Sequence, residues 1–276
     1  MTFSVFLILG HSRFLSLARS GLNCLIGVTI ANLAAAVAGC SGEPTGPINA
    51  LANHCQAPKI VRLAHQVVPI YPDRYDWQED VRVRKAFEEL WKQDGEQLWP
   101  RLIAHISDPN YAFTRRDEED MEGFTRNLTV GELCEMVART DLLKPIVQPF
   151  RGIITSRPAK QRDLFKVFAK ISEPPELRDL KAWYQARSSR PLYQLQIELC
   201  QWAIEEMRRQ DTIDSDLKST YIADLTKEIE NLTNTKIPEV TGRLPFTERY
   251  SYFDVAKANQ IRQRYLAEQC DQNMSH

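Results

Sequence analysis

Motifs that announce chemistry are missing from this chain of 276 residues. It has no G-x-S-x-G, no H-E-x-x-H, no phosphate-binding loop and no dinucleotide fingerprint, so none of those catalytic classes has a local signature. Histidine is scarce, with five in all. The six cysteines never fall as C-x-x-C, which argues against a zinc site. Strong charge of either sign is also absent: the net charge is −1, which gives no electrostatic case for nucleic acid. No internal repeat of fixed period emerges, and no run past residue 40 is apolar and long enough to suggest a membrane span.

One absence is local and points somewhere. Residues 1–39 contain no Asp or Glu, and their only cations are Arg13 and Arg19. From Leu22 to Gly39 nothing is charged. The apolar centre Leu25-Ile26-Gly27-Val28-Thr29-Ile30-Ala31 is diluted by Gly and Thr and flanked by Asn23 and Asn32. A permanent span wants about twenty strongly apolar residues. A basic, apolar, then small-residue order is the layout of a signal peptide.

The segment ends in Val37-Ala38-Gly39-Cys40, which resembles the lipobox of bacterial lipoprotein precursors. The resemblance implies cleavage just before Cys40, whose sulfur then carries a diacylglycerol. Ser41, rather than Asp, in the next position implies an outer-membrane destination where the cell has one. Two other readings of the same residues stand beside it. Ala36-Val37-Ala38 fits the A-x-A site of ordinary secretion, to the periplasm or outside, and 22–39 also fits an uncleaved anchor.

The expected organisation is a signal peptide at 1–39, a flexible tether rich in Gly, Pro and Asn at 40–60, and a helical domain at 61–276. Removing the two arginines of 1–39 from the 35 Lys and Arg leaves 33 against 36 Asp and Glu, a net charge of −3. With 43% apolar and 26% charged residues the chain is globular material, long enough for a large core.

Helical periodicity dominates from residue 76. Asp76-Trp77-Gln78-Glu79 reads as a capping box, followed by Val83, Ala86, Phe87, Leu90 and Trp91 at helical spacing. Gly95 reads as a left-handed stop, and Pro100 as the first turn of a second helix with Leu102, Ile103 and Ile106 inward. This helical hairpin resembles one unit of a HEAT-type repeat, carried by Ala86, Leu90, Gly95, Pro100, Leu102, Ile103 and Ile106.

Residues 109–127 are polar and charge-rich. Thr129-Val130-Gly131-Glu132 is a second capping box, opening a helix with Leu133, Cys134 and Val137 inward. Two prolines and Gly152 make 141–157 read as a loop or brief strand. Further helices are predicted over about 158–171, with Leu164, Phe165, Val167, Phe168 and Ile171, and after Pro174-Pro175, with Leu177, Leu180, Trp183 and Tyr184. Three more follow, at Leu192 to Arg209, from Ser215, and at Asp254 to Gln269, with a loop from Pro238 to Phe246. Val67-Val68-Pro69-Ile70 is the one β-like run. The expectation is an all-α array of about eight antiparallel helices, as an irregular bundle or a short HEAT-like solenoid.

Candidate chemistry is thin. Cys134 with His105 and Asp108 could be drawn as nucleophile, base and orienter, but Cys134 sits on an apolar face and a nucleophile needs exposure. His54-Cys55 supplies only two local metal ligands. Arg115-Arg116-Asp117-Glu118-Glu119-Asp120 has acids but no calcium-loop spacing, and reads as a solvated loop or partner surface. Trp91, Trp99, Trp183 and Trp202 could stack on sugars, yet their helical spacing suits a core. Asn127, Asn231 and Asn273 lie in glycosylation triplets, relevant only to a eukaryotic cell. Cys55 with Cys270 is the one plausible disulfide, and Cys200 reads as a core residue.

The site expected is therefore lipid attachment at Cys40, with no catalytic residue, metal or cofactor assigned. The partners expected are a membrane through the lipid and another protein through helical surfaces, with a cell-surface hydrolase or a glycan-binding protein as alternatives.

Overall fold

The computed structural model describes residues 46–63, 66–117, 124–156, 174–187, 190–211, 213–240 and 255–274. Cys40, the segment 1–39, the predicted helix 158–171 and the acids Glu118 to Asp120 lie outside them. The chain divides into two compact units, Met1–Pro44 and Thr45–His276, and the second carries everything described below.

Its elements run in the order β1 (Lys59–Leu63), β2 (Gln66–Ile70), α1 (Trp77–Trp91), α2 (Gly95–His105), β3 (Tyr111–Asp117), β4 (Phe124–Thr129), α3 (Val130–Ser156), α4 (Leu180–Gln185), α5 (Leu192–Arg209), α6 (Ser215–Thr235) and α7 (Val255–Met274). Short 3-10 turns at Asn49–Leu51 and Pro175–Asp179 precede β1 and α4. The fold is predominantly helical, but it is not all-α: two antiparallel β-hairpins, β1–β2 and β3–β4, interrupt the helices. The α1–α2 helical pair is followed by a β-hairpin rather than by a second such pair.

Within the charge-rich stretch 109–127, where Arg115 to Asp120 reads as a solvated loop or partner surface, β3 runs from Tyr111 to Asp117 and β4 starts at Phe124. Thr114 faces Asn127 and Arg115 faces Arg126, and a register shift lies between Tyr111 and Phe113. Ala112, Phe113 and Leu128 are fully buried, so the hairpin belongs to the core despite its charges. Pro69 sits inside β2 opposite Ile60, tolerable because a two-stranded sheet leaves the outer side of each strand without a ladder to break.

The tether expected over 40–60 is corrected for its described part, 46–60. From Gly46 to Pro58 the chain is a strap packed into the body, with Ile48 and Leu51 at 1% and 0% exposure. These apolar side chains are what pull it in.

α3 continues through Pro145, Pro149 and Gly152, where a loop or strand was expected. Pro145 has no N–H to give the carbonyl of Asp141, four residues back. The buried Gln196 of α5 supplies that bond instead, its Nε2 donating to Asp141 O at 2.8 Å. Tyr221 of α6 donates to Ile146 O at 3.0 Å. α3 is thus packed by α2, α5 and α6, and α5 lies along α6.

Gly95 is the first residue of α2, not a stop after α1, and Asp94 caps it by accepting from Glu96 N. A Cβ at Gly95 would lie 2.4 Å from Val240 Cγ1, so close packing, not backbone freedom, fixes glycine there. Pro100 consequently falls inside α2 rather than in its first turn. α5 spans the residues its apolar stripes predicted, and α6 ends on Lys236 in the left-handed conformation, φ 55°.

Two apolar clusters result. The larger is built on α1 to α6 with the strap and β3–β4. The smaller joins Leu63, Val68, Tyr71 and Tyr75 to Ala258 and Ile261 of α7, and Arg262 pairs with Asp73 beside it.

Candidate functional site

The densest polar constellation lies where the strap, α1 and the β3–β4 hairpin meet. Tyr75 donates to Asp80 Oδ1 at 2.9 Å, and its hydroxyl is 3.1 Å from that of Tyr111. Tyr111 meets Thr114 Oγ1 at 2.9 Å, Thr114 donates to Asn127 Oδ1 at 2.7 Å, and Asn127 Nδ2 donates to Pro58 O at 2.8 Å. Asp80 Oδ2 pairs with Arg84 at 2.8 Å. Tyr71, Tyr75 and Trp77 stack edge-on and tilted around this chain, with centroids 4.7 to 5.0 Å apart.

Burial sets the protonation of these groups. It pushes Tyr111 up to about 12 and Tyr71 and Tyr75 well above the ordinary phenol value, aided by neighbouring Asp80. The phenols stay neutral and act as hydrogen-bond relays. Burial also raises Asp80, against the pull of Arg84 and Tyr75.

Beside the network, Glu79 departs from the capping-box expectation. Asp76 Oδ1 does accept from Gln78 N and Glu79 N. The Glu79 carboxylate instead turns to Arg82 at 2.6 Å and accepts from His54 N at 3.2 Å. The hydrogen bond from Arg82 is the main reason its pKa falls to about 2. Arg82 in turn donates to Ala50 O and Ala52 O, each at 2.8 Å, so the pair clamps the strap. The second predicted box is complete: Glu132 N donates to Thr129 Oγ1 and Thr129 N to Glu132 Oε2.

A second polar cluster sits between α3, α5 and the segment after α6. Lys144 Nζ meets Glu239 Oε1 at 2.5 Å, and Gln196 Oε1 accepts from Glu239 N at 3.1 Å. Glu228 nearby is raised, by burial first and then by Glu239. Sequence reasoning missed this cluster because its members are about fifty residues apart with no motif spacing.

The structure does bring His105, Asp108 and Cys134 into one neighbourhood. His105 Nδ1 is 3.7 Å from Asp108 Oδ2. Cys134, however, is fully buried, and burial with the nearby Asp108 charge pushes its thiol up to about 12. A thiol so placed is protonated at neutral pH and inert. His54 and Cys55 diverge, the histidine toward Glu79 and the thiol toward Asp76 O at 3.7 Å. Cys55 and Cys270 are both free, which corrects the proposed pairing. Among the described residues, no three His, Cys, Asp or Glu side chains gather as metal ligands. Nor is any described helix long and apolar enough to cross a membrane.

Of the tryptophans, Trp99 is buried with Nε1 donating to Ala138 O at 3.0 Å, and Trp183 is buried under Arg187. Trp91 and Trp202 are half-buried against the core. Asn127 is held within the network, while Asn231 is exposed on α6. Trp202 lines an open groove of about 510 Å³ on the outside of α5, with Gln201, Ile204, Glu205, Arg208 and Arg209. No protein-family model, curated protein or solved structure matches the chain.

Proposed function

We propose that the chain is an exported, lipid-anchored cell-envelope protein whose helical body is a non-catalytic domain that binds a protein partner. On this reading 1–39 is a cleaved signal peptide, and Cys40 carries the lipid on a membrane, the outer one where the cell has two. The observation that carries it is the run Val37-Ala38-Gly39-Cys40, set between an acid-free apolar lead and a compact unit that starts at Thr45.

The body is best read as an irregular bundle around α3 rather than a short solenoid, since α3 packs against α2, α5 and α6. The groove along α5 suits a protein partner, because it combines Trp202 with Arg208 and Arg209, and tryptophan and arginine are the residue types that dominate binding hot spots. The buried Cys134 thiol weighs against a thiol hydrolase, and the buried Trp99 and Trp183 weigh against a glycan platform.

Mass spectrometry of the mature N-terminus is the test. An acylated peptide beginning at Cys40 is expected, and Cys40→Ser should abolish it. An intact Met1, or an unmodified N-terminus at Gly39, would sink the reading. Trp202→Ala should then reduce co-purification of a partner from solubilised membranes without unfolding the body. Unchanged recovery would remove the groove from the proposal.

A further inference from the structure

We propose that the strap end of the body is a bilayer-facing surface, held against lipid headgroups by a leash too short to let the body turn over. This inference rests on the lipid-anchored reading above.

Gly46 is the first described residue of the body. Asn49 N and Ala50 N both donate to Gly46 O, at 2.9 and 3.3 Å. A Cβ on Gly46 would lie 2.2 Å from a guanidinium nitrogen of Arg101, so that exposed cation stands directly over the point where the chain joins the body. Ile48 and Leu51 are buried a few residues on. Four further bonds pin the strap: Arg82 to Ala50 O and Ala52 O, His54 N to Glu79, and Asn53 N to Tyr111 O at 2.8 Å.

Only residues 41–45 separate Cys40 from this fixed point. Fully extended, six residue steps reach about 20 Å. A compact unit of this size is about 45 Å across. The opposite pole of the body therefore cannot reach the bilayer while Cys40 stays in it, and the Gly46–Arg101 face stays within about 20 Å of the surface. A cation on that face is attracted to anionic headgroups wherever it comes within the screening length of about 8 Å at physiological salt.

The far end is also defined. Leu192 at the start of α5 lies beside Gly95, within 3.3 Å of a Cβ built there. Trp99 meets Ala138 and Gly95 lies beside Asp141, so α2 is antiparallel to α3 and Arg101 lies toward the start of α3. Gln196 meets Asp141, and Tyr221, just past the α5–α6 turn, meets Ile146, so α5 runs the same way as α3 and away from Arg101, about 25 Å to Arg209 at 1.5 Å per residue. Lys218 closes the α5–α6 turn by donating to Arg208 O at 2.9 Å. The groove at Trp202 thus lies in the half of the body farther from Gly46 and Arg101.

The experiment uses the full chain, processed in cells and reconstituted into phosphatidylglycerol-containing vesicles doped with a headgroup-quencher lipid. In a Cys55→Ser, Cys270→Ser background, one fluorophore is attached through Arg101→Cys or through Arg209→Cys. The buried Cys134 and Cys200 should not label. Quenching several-fold stronger at position 101 than at 209 is expected. Inserting twenty Gly and Ser residues after Gly42 should bring the two positions close to equal. Equal quenching on the native leash, with Cys40 acylated by mass spectrometry, overturns the orientation alone. Cys40 found unacylated overturns both the orientation and the anchor.

Discussion

Glu79 and Asp80 are chain neighbours with opposite responses to acid. The folded pKa of Glu79 is depressed from 4.5 to about 2, chiefly by its hydrogen bond from Arg82. Its contribution is present above about pH 4.5 and is lost as pH falls toward 2. Asp80 is raised by burial, so its ionised form costs stability and protonation relieves that cost. Glu79→Gln should therefore flatten the fall in stability between pH 4.5 and 2 relative to the parent, read as urea midpoints across that window. Parallel curves for the two chains would refute it. Thiols obey the same burial logic. Cys200 is fully buried, and burial pushes its thiol up to about 12. Cys200→Ala should cost on the order of 1 kcal/mol, and Cys200→Asp far more, because it buries an unpaired carboxylate. In the native state a maleimide should label Cys270 and spare Cys134 and Cys200; labelling of Cys200 at the rate of a free thiol would place α5 elsewhere. The core roles of Cys134 and Cys200 were legible because each repeats on an apolar helical face. The turn of Glu79 toward Arg82 and the strap was not, because His54 lies twenty-five residues away and no local spacing encodes the contact.

At the scale of elements, the readable pieces are those whose signal is local. α5 and α6 show their spans through uninterrupted apolar stripes and, for α6, the Asp214 cap. α3 hides itself, because Pro145, Pro149 and Gly152 are local breakers; Gln196 replaces the bond lost at Pro145, and Tyr221 ties α6 to the next turn at Ile146 O. β3 and β4 hide for another reason: Arg115 and Arg126 put charge on a hairpin whose Ala112, Phe113, Thr114, Thr125 and Leu128 are buried. Gln196→Leu tests the α3 account. It keeps the volume but leaves Asp141 O and Glu239 N without their buried side-chain partner, a cost of about 1–3 kcal/mol. A chemical-denaturation difference near zero would mean that α3 tolerates its prolines unaided. Lys236→Gly should act in the other direction. Lys236 is the only described non-glycine residue at positive φ, where glycine is free of a penalty of about 1 kcal/mol. The variant should be more stable by about that amount, and a loss of stability would show that the Lys236 side chain holds the end of α6.

At the scale of the molecule, the strap decides where the domain begins. Gly, Pro and Asn made 40–60 look like a leash, since composition counts residues and not their partners. The apolar pair Ile48 and Leu51 is the signal that could have corrected it: two core-type side chains three apart, just ahead of the first strand. Their burial binds the strap to α1, and the Arg82 clamp and the Asn127 bond to Pro58 O fix its course across the hairpin. A chain beginning at residue 61 would therefore lose more than a tail. It would open apolar surface on α1, strip Arg82 of two carbonyl partners, and leave Asn127 Nδ2 without the Pro58 carbonyl. Leu51→Ala alone should cost about 2–5 kcal/mol, the range for a buried leucine that leaves a cavity. A chain of 46–276 should unfold at the same urea concentration as one of 41–276, while a chain of 61–276 should unfold much earlier. If 46–276 and 61–276 unfold together, the strap contributes nothing to the body, the leash grows by fifteen residues, and the bilayer-facing surface proposed for Gly46 and Arg101 goes with it.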